Sequence, residues 1–346
     1  MESPSTMETI SRFNEILKSF KIGAVCINAK QVGNYTYYDL NIGSNTKVAV
    51  LNKFSDEISL ALKMPCKPSI KVIHERGIVR LEFVTPVDKT LKLFDLFTND
   101  NVPAGGLICL LGQSVDGSKV WMDLAQNPHM IVAGTTGSGK SVLLQNIIAN
   151  MFNYNDCILY LVDPKKIEFH EYGKRIKRDL NVSFTYDEAM FVLDTLLVTM
   201  EERYRLIRSG RAVEDFPYVL LIVDEFADLI MQDHDNLFFD KLCRLAQKCR
   251  AARISIILST QRPSTNIISG IIKANFPARI ACKVASHVDS KVIMDSSGAE
   301  NLLGRGDALL RDNFRQLERF QVAFTTATEV CNYFGDAEAS DNLFAE

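Results

Sequence analysis

Met130–Ile148 reads MIVAGTTGSGKSVLLQNII, and the order of its residue types decides the fold. The apolar residues Met130–Ala133 suggest a buried strand. They run into Gly134-Thr135-Thr136-Gly137-Ser138-Gly139-Lys140-Ser141, and a helix-forming run follows. Strand, glycine-rich turn and helix in that order make a P-loop. The glycines let the backbone curl so that successive N–H groups converge on phosphate oxygens, and the helix that begins there adds partial positive charge at the same spot. The expected ligand is ATP. Lys140 would reach its β- and γ-phosphates, and Ser141 would offer its hydroxyl oxygen to Mg²⁺.

Around this stretch, 346 residues with 47% hydrophobic content imply two domains and a large core. The net charge of −3 excludes an overall basic field, so any contact with nucleic acid must be local. Eight cysteines show no CxxC pair and no metal-ligand spacing; beside a P-loop they read as reduced core thiols and point to a cytoplasmic protein. The first 20 residues, MESPSTMETISRFNEILKSF, lack the basic-then-apolar pattern of a secretion signal. No apolar run approaches the roughly 20 residues of a membrane span, so no membrane segment is expected.

Residues 1–105 read as a smaller N-terminal α+β domain, a platform without a catalytic constellation. Ile10, Phe13, Ile16, Leu17 and Phe20 fall at helical spacing, Val25–Asn28 and Tyr35–Ile42 look like strands, and Leu51–Met64 reads as a second helix. Ser69–Ile73 and Ile78–Val84 are expected to pair around the turn His74-Glu75-Arg76-Gly77. The turn-rich stretch Asn99–Gly106 marks the boundary with a second domain over 106–346.

In that second domain, Cys157–Val162, Tyr218–Val223 and Ile254–Leu258 are short continuous apolar runs, as strands buried on both faces would be, and Arg279–Val284 is a further candidate. Helical patterns separate them. Thr185-Tyr186-Asp187-Glu188 has the form of a capping box in front of the apolar face Ala189, Met190, Leu193, Leu196, Leu197, Met200, Tyr204 and Ile207, and Leu237–Arg250 is a later helix. Alternating strands and helices predict an α/β fold: a mostly parallel, doubly wound sheet with ligands at the carboxyl ends of its strands. Polar residues gather at those ends. Asp224 closes one apolar run, where a carboxylate needs a cation, and is expected in the Mg²⁺ shell; Glu225 is the expected base for the attacking water. Gln261, at the end of the neighbouring run, is placed to sense the γ-phosphate.

A hydrolase of this type draws on an arginine from outside its own pocket to spread the charge of the transferring phosphoryl group. Arg244, Arg250, Arg253 and Arg279 are the candidates, and residue chemistry alone does not choose among them. From Lys241 to Arg319 there are 14 Lys and Arg against 6 Asp and Glu. Cations at turns, Arg262, Lys273 and Lys291 among them, suit contacts to a phosphate backbone; a solvated surface face explains the same excess.

Seven blocks in one order carry a resemblance to a known family: NPHMIVAGTTGSGKS (Asn127–Ser141), LYLVDPKKIEF (Leu159–Phe169), MEERYRL (Met200–Leu206), LLIVDEFADLI (Leu220–Ile230), RLAQKCRAARISIILSTQRPS (Arg244–Ser264), IIKANFPARIACKV (Ile271–Val284) and DSSGAENLLGRGDALL (Asp295–Leu310). Over residues 107–324 the chain resembles the FtsK/SpoIIIE DNA translocases, hexameric motors of the HerA–FtsK class that pump double-stranded DNA through a central channel. The resemblance implies a RecA-like P-loop NTPase core, with the N-terminal module as the family's α domain. It implies Lys140 and Ser141 as Walker A residues, Asp224 and Glu225 as the Walker B pair, Gln261 as the TQRP sensor and Arg250 as the finger acting in trans. It also implies Arg262, Lys273 and Lys291 as channel-loop positions facing DNA, with His287 where the family tends to have lysine.

Departures from the family pattern accompany the likeness. Arg253 and Ser255 stand where glycine and histidine are usual, and the insertion between the RYRL helix and the Walker B strand is short. A membrane-spanning N-terminal region and a winged-helix module are not seen, and an acidic tail, Gly335–Glu346, ends the chain. The expectation is a stripped, homohexameric, ATP-driven DNA translocase serving DNA transfer, segregation or packaging, of a size suited to a mobile element. An ATPase driving protein export or mobile-element conjugation is the alternative, and a non-hydrolysing scaffold is disfavoured by the intact Lys140, Asp224 and Glu225.

Overall fold

The computed structural model describes residues 6–32, 35–84, 90–97, 102–154, 156–176, 180–312 and 317–334. The acidic tail and residues 99–101 of the turn-rich stretch lie outside them. The chain divides into two compact units, one of residues 1–90 with 113–118, the other of 91–112 with 119–346.

The first unit begins with α1 (Thr6–Ser19), followed by β1 (Ala24–Val32), β2 (Tyr35–Ile42), α2 (Ala49–Lys53), α3 (Ser55–Leu62), β3 (Ser69–Ile73) and β4 (Ile78–Val84). The strands form an antiparallel sheet in the order β1-β2-β4-β3. Helical spacing puts Phe13 and Leu17 on one face of α1, where they are fully buried against Tyr38, Leu40, Leu81 and Phe83 of the sheet. β3 and β4 pair with Ile73 opposite Ile78. The helix expected over Leu51–Met64 is in fact two, broken at Phe54. This residue leaves helical geometry at φ −101° and ψ 17°, and its ring stacks on Phe20 at 5.9 Å. The β2–β4 register sets Asp39 opposite Arg80, and the guanidinium grips the carboxylate through Nε at 2.6 Å and Nη2 at 3.1 Å while lying 4.0 Å over the Tyr37 ring.

The second unit contains α4 (Leu93–Leu96), β5 (Ile108–Ser114, its last two residues counted with the first unit), β6 (Lys119–Asp123), β7 (His129–Ala133), α5 (Lys140–Met151), β8 (Cys157–Val162), α6 (His170–Arg175) and β9 (Leu180–Ser183). There follow α7 (Tyr186–Arg208), β10 (Tyr218–Val223), α8 (Phe226–Gln232), α9 (Leu237–Lys248), β11 (Ile254–Thr260) and α10 (Gly270–Asn275). The remainder is β12 (Ala278–Cys282), α11 (His287–Met294), β13 (Asp307–Arg311), β14 (Glu318–Val322) and α12 (Ala327–Phe334). Ten strands make one sheet in the order β6-β5-β14-β13-β12-β7-β11-β10-β8-β9. From β12 to β9 neighbouring strands run parallel, and β13 and β14 continue the sheet antiparallel.

Both faces of the parallel strands are covered, which is why their sequences are continuous apolar runs. Met130, Val132, Leu220 and Ile222 face a core built with Leu143, Leu144, Ile147 and Ile148 of α5. Ile131, Val219, Leu221 and Val223 face the opposite core, with Leu193, Leu196 and Met200 of α7 and Leu242 and Leu245 of α9. The capping box ahead of α7 closes as its spacing implies. Thr185 Oγ1 accepts from the Glu188 amide at 3.2 Å, and Glu188 Oε2 accepts from the Thr185 amide at 3.1 Å. Among the described residues no helix is long and apolar enough to cross a membrane, and no disulfide forms.

Candidate nucleotide site

β7 lies between β12 and β11, so the turn that follows it emerges at the carboxyl edge of the sheet with a neighbour on either side. Both neighbours anchor it. The Gly134 amide donates to the Thr260 carbonyl at 3.2 Å and the Thr135 amide to the Lys283 carbonyl at 2.9 Å. The turn then passes through Gly137 at φ 76° and Gly139 at φ 105°, left-handed geometry that glycine adopts without a Cβ penalty. The α-helix begins at Lys140, and its first-turn amides are the orphan donors that suit a phosphate.

Sequence reading gave no role to a second glycine turn that packs directly on the first. The Arg305 amide donates to the Gly137 carbonyl at 3.2 Å and the Gly306 amide to the Ser138 carbonyl at 2.8 Å. A Cβ on Gly139 would sit 2.3 Å from the Gly306 nitrogen, so no side chain fits there. On the same side, burial pushes the Cys282 thiol up to about 12, leaving it an inert core group.

Asp224 and Glu225 follow β10, two strands away, and are 1% exposed. The Lys140 ammonium donates to Asp224 Oδ1 and, at 2.8 Å, to Ser259 Oγ, which itself donates to Asp224 Oδ1 at 3.2 Å. These bonds converge on Oδ1 and leave Oδ2 as a second acceptor. Asp224 does not cap the following helix: the N-cap of α8 is Glu225, and no side-chain cap bond forms there. Glu225 has left-handed backbone at φ 52°, an unfavourable geometry for a non-glycine residue that recurs at functional sites. Its carboxylate accepts from Thr260 Oγ1 at 2.7 Å, from the Gln261 amide at 3.1 and 3.2 Å, and from Lys165 Nζ at 3.1 Å. The Gln261 side chain accepts from Thr136 Oγ1 at 3.0 Å, joining the expected sensor to the glycine-rich turn.

The fold therefore brings Lys140, Ser141, Asp224, Glu225 and Gln261 to one edge. Hydroxyl and carboxylate oxygens of Ser141 and Asp224 are a hard donor pair of the kind Mg²⁺ takes alongside phosphate, and they fit that ion. Ser259, Thr260 and Lys165 join the cluster; the polar run Ser259–Arg262, which begins in the last two residues of β11, was the available signal for the first two.

The four arginine candidates separate by what holds them. Arg279 is 8% exposed and paired with Asp295. Arg253 lies 3.7 Å over the Tyr218 ring and donates to the Glu214 and Phe216 carbonyls at 2.7 and 2.8 Å. Arg244 is 3.6 Å from Glu201. Arg250 is exposed, and its guanidinium makes no hydrogen bond or ion pair among the described residues. It precedes β11 whereas Gln261 follows it. Seven strand residues separate the two by about 20 Å, so Arg250 stands at the opposite edge of the sheet from its own glycine-rich turn.

The three cationic positions also part company. Arg262 and Lys291 are exposed without an ion partner among the described residues, whereas Lys273 is 2.8 Å from Asp295, which also holds Arg279 and, at 3.5 Å, Arg311. Burial alone would raise the Asp295 carboxyl, but hydrogen bonds from Lys273 and Arg279 hold it below the usual carboxylate range. Arg262 follows the carboxyl end of β11 and Lys273 precedes the amino end of β12, so they lie at opposite edges of the sheet.

Comparison with known proteins bears on the family and the fold. The FtsK/SpoIIIE family model matches residues 100–212 and 208–265. The DNA translocase FtsK of Lactococcus lactis subsp. cremoris (strain MG1363) is 34% identical over 354 residues, covering 95% of this chain and 47% of that protein. The DNA translocase FtsK of Campylobacter jejuni subsp. jejuni serotype O:23/36 (strain 81-176) is 33% identical over 317 residues, 85% of this chain and 33% of that protein. The chain thus spans half or less of the length of these relatives. Among solved structures, the pCW3 conjugation coupling protein TcpA, in its monomer form with ATPgS, aligns with a TM-score of 0.66 at 20% identity over 94% of this chain and 98% of that one. The cytoplasmic domain of the Thermomonospora curvata type VII secretion ATPase EccC aligns with a TM-score of 0.61 at 19% identity over 75% of this chain and 36% of that one. At such identities the structural likeness speaks for the fold alone. Sequence match, sheet order and the edge where the polar residues meet all lead to one assignment: this chain belongs to the FtsK/SpoIIIE family of P-loop ATPases.

Proposed function

We propose that the chain is an ATP-driven translocase on double-stranded DNA that works as a homohexameric ring with its nucleotide sites between subunits. The observation that carries this reading is the chain of bonds from Thr136 in the glycine-rich turn through Gln261 to Glu225, because it connects a phosphate site to a base. Relatives named DNA translocase FtsK, at about one-third identity, support the choice of DNA as the track.

In this reading the first-turn amides of α5 and the Lys140 ammonium bind the β- and γ-phosphates, Lys140 exchanging Asp224 for phosphate oxygens. Ser141 and Asp224 would hold Mg²⁺, which would supply charge neutralisation at the transferring phosphoryl group. Glu225 takes the proton of the attacking water, which requires it to give up one of the bonds from Lys165, Thr260 or the Gln261 amide. Gln261 reports the γ-phosphate to the segment beginning at Arg262. Arg250, too far from its own site, serves the site of the adjacent subunit. Arg262, Lys273 and Lys291 supply the cationic contacts to the DNA backbone.

An ATPase assay with and without linear duplex DNA, paired with particle imaging, tests this directly. Stimulation by duplex and six-membered rings are expected. Indifference to DNA with activation by a protein partner would instead favour an export or conjugation ATPase.

A further inference from the structure

The loop between β8 and α6 holds a carboxylate that the scheme above does not use. Asp163, fully buried, accepts from the amides of Lys165 at 3.2 Å, Glu168 at 2.8 Å and Phe169 at 3.1 Å, and Lys166 turns the chain through left-handed geometry at φ 59°. The chain is thereby folded back on α5. Glu168 Oε1 accepts from the Ser141 hydroxyl at 2.6 Å, while the Glu168 carbonyl accepts from Gln145 Nε2 at 3.0 Å. Gln145 is itself held by the hydroxyl of buried Tyr172. Glu168 is thus fixed from both sides.

A carboxylate beside a triphosphate site is repulsive unless a cation lies between them. A serine hydroxyl has one proton and two lone pairs. Donating that proton to Glu168 commits the orientation of the lone pairs, and the oxygen concerned is the one expected to meet the metal.

We propose that Glu168 is a positioning residue for the divalent cation, orienting the Ser141 hydroxyl as a metal ligand and placing a formal negative charge behind it. This rests on the nucleotide-site reading given above. Outer-shell carboxylates of this kind change metal affinity about 10- to 100-fold when removed. A tether that merely holds the loop to α5 would affect nucleotide binding with and without metal alike.

The test is anisotropy of mant-ATP on the full chain, titrated with Mg²⁺ and repeated in EDTA. Glu168→Gln should raise the Mg²⁺ half-saturation at least 10-fold and leave the affinity in EDTA unchanged or tighter. A half-saturation within twofold of wild type, or equal losses with and without metal, overturns the proposal. Should Glu168→Gln fail to fold, Glu168→Asp, whose carboxylate is withdrawn by one methylene, should raise the half-saturation at least threefold, and a wild-type value overturns the proposal as well. Wild-type protein that binds no mant-ATP overturns the nucleotide-site reading and this proposal with it; normal wild-type binding beside an unaltered variant overturns this proposal alone.

Discussion

Thr260 Oγ1 donates to Glu225 Oε1 at 2.7 Å, so the last residue of β11 holds the carboxylate that follows β10. Parallel pairing of the two strands, with Val223 beside Leu258, brings both carboxyl ends to the same edge. Thr260→Val removes the donor at nearly constant volume. Turnover should fall about 10-fold, part of the 10²–10⁴ available to a positioned base, while mant-ATP affinity stays within twofold. Parallel measurements of kcat and mant-ATP binding check this, and an unchanged kcat would count against Thr260 as a support for the base.

Lys140 also has a structural debt to Asp224. Both are almost fully buried, and among the described residues the other side-chain hydrogen bond to the Asp224 carboxylate comes from Ser259. Lys140→Ala should abolish ATP turnover and leave an uncompensated carboxylate costing about 3 kcal/mol. Lys140→Ala with Asp224→Asn should recover most of that loss without recovering turnover. Denaturant melts of wild type, single and double variants provide the comparison.

If Arg250 serves the neighbouring subunit, Arg250→Ala and Lys140→Ala remove different halves of one shared site. Homogeneous Arg250→Ala should lose about 10³-fold in turnover, and homogeneous Lys140→Ala all of it. Mixed subunits should regain measurable ATPase activity, because some interfaces then combine an intact Lys140 with an intact Arg250. A mixture no better than either parent would assign Arg250 to its own subunit's architecture.

DNA stimulation should depend unequally on the three cations. Arg262→Ala and Lys291→Ala should each reduce the slope of log affinity against log salt by about 0.9, as one lost phosphate contact implies. Lys273→Ala should have the smaller effect on that slope and a larger one on thermal stability, since it removes one of the donors to Asp295. Fluorescence anisotropy of labelled duplex at several salt concentrations separates these outcomes.

His129 supplies a pH dependence. Burial beside Phe276 pushes its imidazole down from 6.5 to about 4. Between those values the unfolded chain binds a proton that the folded chain refuses, so stability falls as pH drops from about 6.5 toward 4, by at most roughly 3 kcal/mol. His129→Leu should flatten that limb in melts recorded from pH 7 to pH 4.5.

The sequence made the parallel core legible because each buried strand is a continuous apolar run ending in polar residues, and Lys140, Asp224 and Gln261 lie at those ends. The antiparallel extension was less visible. β13 and β14 pair antiparallel, and neither periodicity nor turn chemistry announces which edge they, or β5 and β6, join. The pairings of Lys165 with Glu225 and of Ser141 with Glu168 were invisible for another reason: they join residues 60 and 27 positions apart, and the loop that aims them is shaped by one buried carboxylate, Asp163. The helix break at Phe54 reflects a ring partner, Phe20, that helical spacing does not encode.

The amide of Gly306 is bonded to the Ser138 carbonyl, and β13 begins at the next residue. With no room for a methyl group between Gly139 and Gly306, the two glycine turns act as interlocked teeth that cannot slide past one another. A shift of the Ser138 peptide would therefore press on Gly306 and the start of β13, which lies on the far side of β12 from Gln261.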